Sequence, residues 1–317
     1  MNKILDRVRA VADPRAVVEA YGSSVYAPLH AHDVDVLVTG DDADRLAAAL
    51  GLTRIPTKPP KLTGILESMQ VDITVVTEAD DRMRSGPRDA ALLAHHLRDR
   101  DDVFQATWPH VRTFVKTRAL GHNGLGWFGS FGWALLLAIP LVTDLQDAQV
   151  GTALADWLRW LERLKLGTRL GLDGISDGEE SLFLVAPAPP TRDVARISRR
   201  HAQALIGEAK IAVAAIGDAK ADADAVARIP DIATDRHTGS ILVIAGNEEH
   251  SRGRYDGNAR GLLRELERLG PTRSWGRFDI QDDGWEHRIM VPTPRIKQAR
   301  EIARDWLALT NIDAVAE

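Results

Sequence analysis

The chain of 317 residues has no cysteine. That excludes a disulfide framework and a thiolate metal site, and it fits a reducing compartment, so a cytoplasmic location is expected. Long apolar runs are also missing. The most apolar stretch, Trp133 to Val142, is interrupted by Pro140 and falls well short of the roughly 20 residues that span a bilayer, so no membrane partner is expected. The N-terminus, Met1 to Arg9, lacks the apolar core and cleavage site of a signal peptide. There is no positive net charge either: the formal balance is −5, so any nucleic-acid contact must come from local basic patches. What is present is ordinary for a globular protein, with 44% hydrophobic and 27% charged residues. The length suits two or three domains.

The chain is organised around Tyr21-Gly22-Ser23-Ser24 running into His32-Asp33-Val34-Asp35-Val36-Leu37-Val38. The first part reads as a small-residue turn and the second as a strand. Side chains alternate along a strand, so Asp33 and Asp35 share one face while Val34, Val36 and Val38 share the other. A rise of roughly 3.3 Å per residue puts the two aspartates about 6–7 Å apart at the backbone, close enough for their tips to converge. A second strand, Val71 to Val76, carries Asp72 on its polar side. Alone, an Asp-x-Asp pair also reads as the solvated face of an edge strand. Three carboxylates on two strands behind a Gly-Ser turn suit Mg²⁺ or Mn²⁺ together with a triphosphate held on turn amides and hydroxyls.

The remaining pattern predicts an α+β chain. Residues 2–19 read as a helix interrupted at Pro14, and 41–50 as a second short helix. Residues 55–62, with Pro56, Pro59 and Pro60, read as a loop, and strands follow at 64–67 and 70–76. Ser85-Gly86-Pro87-Arg88 marks a boundary after this α/β unit. Apolar period predicts helices for most of 85–228, with Thr191 capping a long one through Val194, Ile197 and Leu205. The last segment reads as strand (241–245), helix (258–269), two strands (275–280 and 285–291) joined by Gln281-Asp282-Asp283-Gly284, helix (296–309) and strand (312–315). That order, βαββαβ, is ferredoxin-like and shared by RNA-recognition modules. Three domains are expected: 1–84, 85–238 and 239–317.

The Gly22-Ser23 turn, the Asp33-x-Asp35 pair and the later Asp72 resemble the active site of the DNA polymerase β-like nucleotidyltransferase superfamily. A second stretch resembles the central domain of eukaryotic-type poly(A) polymerases and related terminal nucleotidyltransferases. It comprises Arg112 and Lys116 one helical turn apart, then Asn123, then Leu125-Gly126-Trp127-Phe128-Gly129-Ser130-Phe131-Gly132-Trp133-Ala134. The resemblance covers roughly residues 15–140 and continues weakly through Phe183–Val194. It makes 1–84 the catalytic domain and 85–238 the poly(A)-polymerase-like central domain. It implies template-independent transfer of NMP, from ATP by expectation, to an RNA 3′-hydroxyl with two metal ions. Asp33, Asp35 and Asp72 would hold the metals. Gly22, Ser23, Ser24, Arg112, Lys116, Asn123, Gly129 and Ser130 would bind the nucleotide. Gly121 stands where the family carries a base-stacking tyrosine, and Arg112 where a lysine is usual.

Arg252, Arg254, Arg260 and Arg264 form a local basic excess in the last domain that can track an RNA backbone or sit as a solvated, ion-paired face. Other readings stay open at this level. They are CCA-type tRNA tailing, transfer to a small molecule, a catalytically silent RNA-binding protein, and a metal hydrolase built on His30-Ala31-His32.

Overall fold

The computed structural model describes residues 1–78, 81–121, 127–177, 182–188, 193–232, 239–246, 249–270, 272–280 and 284–317. The first unit runs α1 (Asn2–Val11), β1 (Val17–Tyr21), α2 (Ser23–Tyr26), β2 (Asp33–Thr39), α3 (Ala43–Leu50), β3 (Thr53–Ile55), β4 (Lys61–Leu66) and β5 (Met69–Val76). Its five strands lie in the order β1-β2-β5-β4-β3, with β2 and β5 parallel and the other pairs antiparallel. The alternation expected for β2 places Val34, Val36 and Val38 in a core with Ile4, Leu5 and Val8 of α1 and Leu46 and Leu50 of α3. Asp42 caps α3 by accepting from the Arg45 amide at 2.8 Å, and Gly51 ends it in the left-handed region.

The expected helix over 2–19 is shorter in the structure. It stops at Val11, and Val17–Tyr21 is an edge strand pairing with Asp35–Thr39. Pro14 prevents continuation, and the β-branched Val17-Val18 pair finds ladder partners that no local signal reveals.

The middle region holds α4 (Asp81–His96), α5 (Asp101–Thr117), α6 (Ser130–Thr143), α7 (Ala153–Glu162), α8 (Arg199–Ile216) and α9 (Asp222–Arg228). The position 84/85 falls within α4. This region is not wholly helical: β6 (Thr168–Gly171), β7 (Gly174–Asp177), β8 (Leu182–Val185) and β9 (Asp193–Ile197) form a sheet in the order β7-β6-β8-β9. Glycines at 167 and 174 with positive φ turn the chain into and within the β6–β7 hairpin. Val194 and Ile197 therefore lie on a strand, and the cap of the following helix is Ser198, which accepts from the His201 amide. Thr191 lies outside the described residues.

The last unit has β10 (Ser240–Gly246), α10 (Glu249–Glu267), β11 (Arg273–Ile280), β12 (Gly284–Val291), α11 (Ile296–Thr310) and β13 (Val315–Ala316). Its antiparallel sheet has the order β11-β12-β10-β13, which is the expected ferredoxin-like arrangement. Leu242, Ile244, Trp285 and Ile289 face the helices in a core with Tyr255 and Leu307. The opposite face carries Ile241, Val243 and Ala245, registered against Met290, Arg288 and Glu286. Glu286 and Arg288 form an ion pair there. Met290 packs on Ala119 and Ile232 of the middle region. No described side chain of this face is aromatic, so β10 and β12 do not form the stacking platform of an RNA-recognition module. Among the described residues no helix is long and apolar enough to cross a membrane.

Candidate active site

The three predicted aspartates are brought together by strand register alone. Asp35 lies opposite Asp72 across the parallel β2–β5 pair, and Asp33 lies one pleat period away on the same face. One carboxylate oxygen from each falls within 4.8 Å of the others, and all three side chains are half-buried. Among the described residues no other group of three metal-ligating side chains comes so close. The donor set is hard and anionic, which fits Mg²⁺ or Mn²⁺.

Neighbouring strands fix these carboxylates. Thr63 of β4, opposite Asp72, donates its hydroxyl to Asp72 Oδ1 at 2.6 Å and accepts from Gln70 Nε2 at 2.7 Å. Tyr21 of β1, opposite Asp35, shares a hydrogen bond with Thr74 at 3.2 Å. Sequence reasoning missed Thr63, Gln70 and Tyr21, because their proximity follows from register, which no short motif encodes.

Clustering the acids has an electrostatic cost. Burial, then the negative charges of Asp33 and Asp72, push the Asp35 carboxyl up to about 6, with Lys61 opposing the shift. A carboxyl raised in the folded state binds more protons there than in the unfolded chain. Stability from this group is therefore lost as pH rises from about 4 through about 6. Asp35→Asn is expected to stabilise the metal-free protein at pH 7.5 by about 1–2 kcal/mol after discounting for solvent screening, with little gain at pH 4.5. Urea unfolding in EDTA at both pH values tests this. An equal effect at the two values would contradict the raised Asp35 carboxyl.

The turn before the strand is built against Asp35. Gly22 has φ +71, and a Cβ added there would lie 2.2 Å from Asp35 Oδ2. Only glycine lets the backbone approach that closely. Gly22→Ala is expected to weaken Mn²⁺ binding about 10–100-fold, as when a group supporting a metal ligand is disturbed. Gly51→Ala is the control: its φ is +68 but nothing lies within 4 Å. Electron paramagnetic resonance titration reads both, and equal affinities would show that the contact is not what places Asp35.

Ser23 is half-buried at the start of α2. Ser24 is buried and donates to the Tyr21 carbonyl at 3.2 Å, so its hydroxyl serves the turn. Next to the acids opens a cleft of about 1150 Å³ lined by His30, His32, Arg112, Lys116, Gly121 and Ser130, among others. Arg112 and Lys116 are exposed on one face of α5, and Arg112 also donates to the His30 carbonyl at 3.3 Å. The His30 ring bonds the Gln105 carbonyl at 2.6 Å and thus anchors the loop before β2 to α5. Gly129 precedes α6 as its N-cap. Asn123 lies outside the described residues. Arg254 is exposed and donates to the Thr310 carbonyl at 2.8 Å, and Arg264 is exposed. The side chains of Arg252 and Arg260 lie outside the described set. Neither Arg254 nor Arg264 lines the cleft.

No protein-family profile matches the chain, and no curated protein matches it either. Solved structures do. Cid1 in complex with the UTP analogue UMPNPP aligns at TM-score 0.51 and 15% identity, covering 69% of this chain and 85% of that one. A Cid1 structure described for its RNA terminal uridylyl transferase activity aligns at 0.51 and 14%, covering 73% and 90%. A cytoplasmic RNA terminal U-transferase aligns at 0.50 and 14%, covering 73% and 89%. For mtPAP in complex with GTP the TM-score is 0.48 at 12% identity over 72% of this chain, and the chain spans 65% of that protein's length. At such identities the likeness is one of architecture alone: the chain shares the fold of these solved structures.

Proposed function

We propose that the protein is a template-independent nucleotidyltransferase that moves NMP from an NTP to an RNA 3′-hydroxyl. The observation that carries this reading is the convergence of three carboxylates beside a cleft lined with cations. Asp33, Asp35 and Asp72 would hold two Mg²⁺ or Mn²⁺ ions, which when bound supply positive charge to the attacking and leaving oxygens of an in-line displacement. The Gly22-Ser23 turn binds the triphosphate through its backbone and the Ser23 hydroxyl. Arg112 and Lys116 neutralise the β- and γ-phosphates from the α5 wall, and Ser130 reaches the cleft from the start of α6. The 3′-oxygen bonds to the α-phosphorus, the bond to the β-phosphate bridge breaks, and pyrophosphate leaves. Asp72 takes or directs the hydroxyl proton. Thr63 restrains the Asp72 carboxylate in the orientation that this requires.

ATP is the expected donor. UTP is the main competitor, since the solved structures of like fold include one with a UTP analogue. The nucleotide contacts assigned to Asn123 and Gly129, and RNA tracking by Arg252, Arg254, Arg260 and Arg264, belong to the same proposal, as does a cytoplasmic location; Ser24 is left out of it, because its buried hydroxyl is held by the Tyr21 carbonyl. The test is extension of a labelled RNA oligomer with each of the four NTPs separately and Mg²⁺. A ladder with ATP is the expected result. A ladder with UTP alone keeps the reaction and changes the donor. No extension with any NTP, on RNA or tRNA ends, overturns the reading in favour of a non-RNA acceptor or a silent scaffold.

A further inference from the structure

The reactive face of the first sheet continues past Asp72 onto β4 and β3, where it carries apolar and basic side chains together. Register places Thr63 opposite Asp72, Lys61 opposite Thr74 and Ile65 opposite Gln70. Ile55 of β3 lies opposite Lys61. Paired residues share a face, so Lys61, Thr63, Ile65 and Ile55 flank Asp72 on one side. Ile65 is 68% exposed and Ile55 38%, while Leu62 and Leu66, which alternate with them, are fully inside the core. Lys61 is exposed and close enough to act on the Asp35 carboxyl. The result is a shelf with an apolar end at Ile65, a cation at Lys61 and Asp72 beside them. None of these residues lines the cleft beside α5.

We propose that this shelf seats the 3′-terminal nucleotides of a single-stranded nucleic-acid acceptor, with a backbone phosphate at Lys61 and a base or ribose against Ile65. The proposal rests on the transferase reading above. In-line displacement requires nucleophile and leaving group on opposite sides of the phosphorus. With the triphosphate directed toward the Gly22-Ser23 turn and the α5 cations, the hydroxyl must arrive from the β5–β4 side, where Asp72 and the shelf lie. The chemistry matches as well. Lys61 and Ile65 lie four residues apart on β4, about 13 Å at the backbone; a single strand offers base faces and phosphates over such a span of about two nucleotides, and Lys61 offsets the repulsion that three aspartates would otherwise exert on an approaching anion.

The experiment is fluorescence anisotropy of a 5′-labelled RNA 12-mer with the full-length protein in Mg²⁺, across a salt series. Lys61→Ala/Ile65→Ser is expected to weaken binding at least 10-fold, and Lys61→Ala to reduce the salt dependence by about 0.7 in the slope of log K against log salt, one phosphate contact on a single strand. Lys61→Arg is expected to retain the slope, and Lys3→Ala, on exposed α1, to leave binding unaltered. Both changed side chains are exposed, and thermal melts compare the folded state of each variant. Wild-type affinity and slope in the double variant, or no binding of the oligomer by the wild-type protein, would overturn the shelf. Shelf-dependent binding without extension by the wild-type protein would instead reject the transferase reading and leave the shelf standing.

Discussion

Asp33→Ala, Asp35→Ala and Asp72→Ala are each expected to lower nucleotidyl transfer by about 10³-fold or more, measured as single-turnover extension with saturating NTP. The size follows from the work assigned to the site. Charge stabilisation by bound metal contributes several kcal/mol to a phosphoryl transition state, and each 1.36 kcal/mol is tenfold in rate. Because the three oxygens lie within 4.8 Å of one another, they act as one unit, so the double variant Asp33→Ala/Asp35→Ala should be hardly slower than either single one. Stability should move the other way. Removing one of three clustered anions relieves repulsion, so the inactive metal-free variants should melt no lower than the wild type. A variant that loses activity and also melts early would indicate a structural role for that aspartate. Retention of activity within tenfold by any single variant would remove that residue from the reaction.

The parts of this site that the sequence reveals are those set by short range. Alternation along Asp33–Val38 assigns the acids to one face and the valines to the core, and the structure keeps that assignment. Arg112 and Lys116 follow from helical spacing, and both line the cleft. The βαββαβ order follows from strand and helix periods, although α10 starts at Glu249, well before Asn258. What is not legible depends on partners far along the chain. Val17–Tyr21 looks like the end of a helix until β2 is known to lie beside it. The sheet at Thr168–Ile197 hides in four strands of four or five residues, too short to establish a period against the surrounding helices. Thr63 and Lys61 acquire meaning only when β4 is registered on β5. Ser24 shows the converse limit: a hydroxyl in the right turn is engaged by the turn's own carbonyl.

The same limit hides the residue whose loss should cost the most stability. Arg118, at the end of α5, is fully buried, as is Glu208 of α8, and the two form an ion pair. A second guanidinium nitrogen, Nη1, donates to the Pro230 carbonyl at 2.7 Å. The arginine therefore joins the end of α5, α8 and the segment leading to the last unit. Removing one member strands a buried charge, so Arg118→Met and Glu208→Leu are each expected to destabilise the protein by about 3–5 kcal/mol. The double variant Arg118→Met/Glu208→Leu removes both charges and should recover much of that loss. It should still fall short of wild type by about 0.5–1.5 kcal/mol, because the half-buried Pro230 carbonyl loses a donor. Urea unfolding followed by tryptophan fluorescence gives all four values, and additive single effects in the double variant would show that the pair is not coupled. The consequence reaches the cleft. Pro230 precedes Asp231, and Arg118 precedes Ala119; Asp231 and Ala119 both line the cavity beside Arg112 and Lys116. The double variant should therefore fold yet bind NTP more weakly, with its defect in KM for the nucleotide, since the aspartates on the first sheet are untouched.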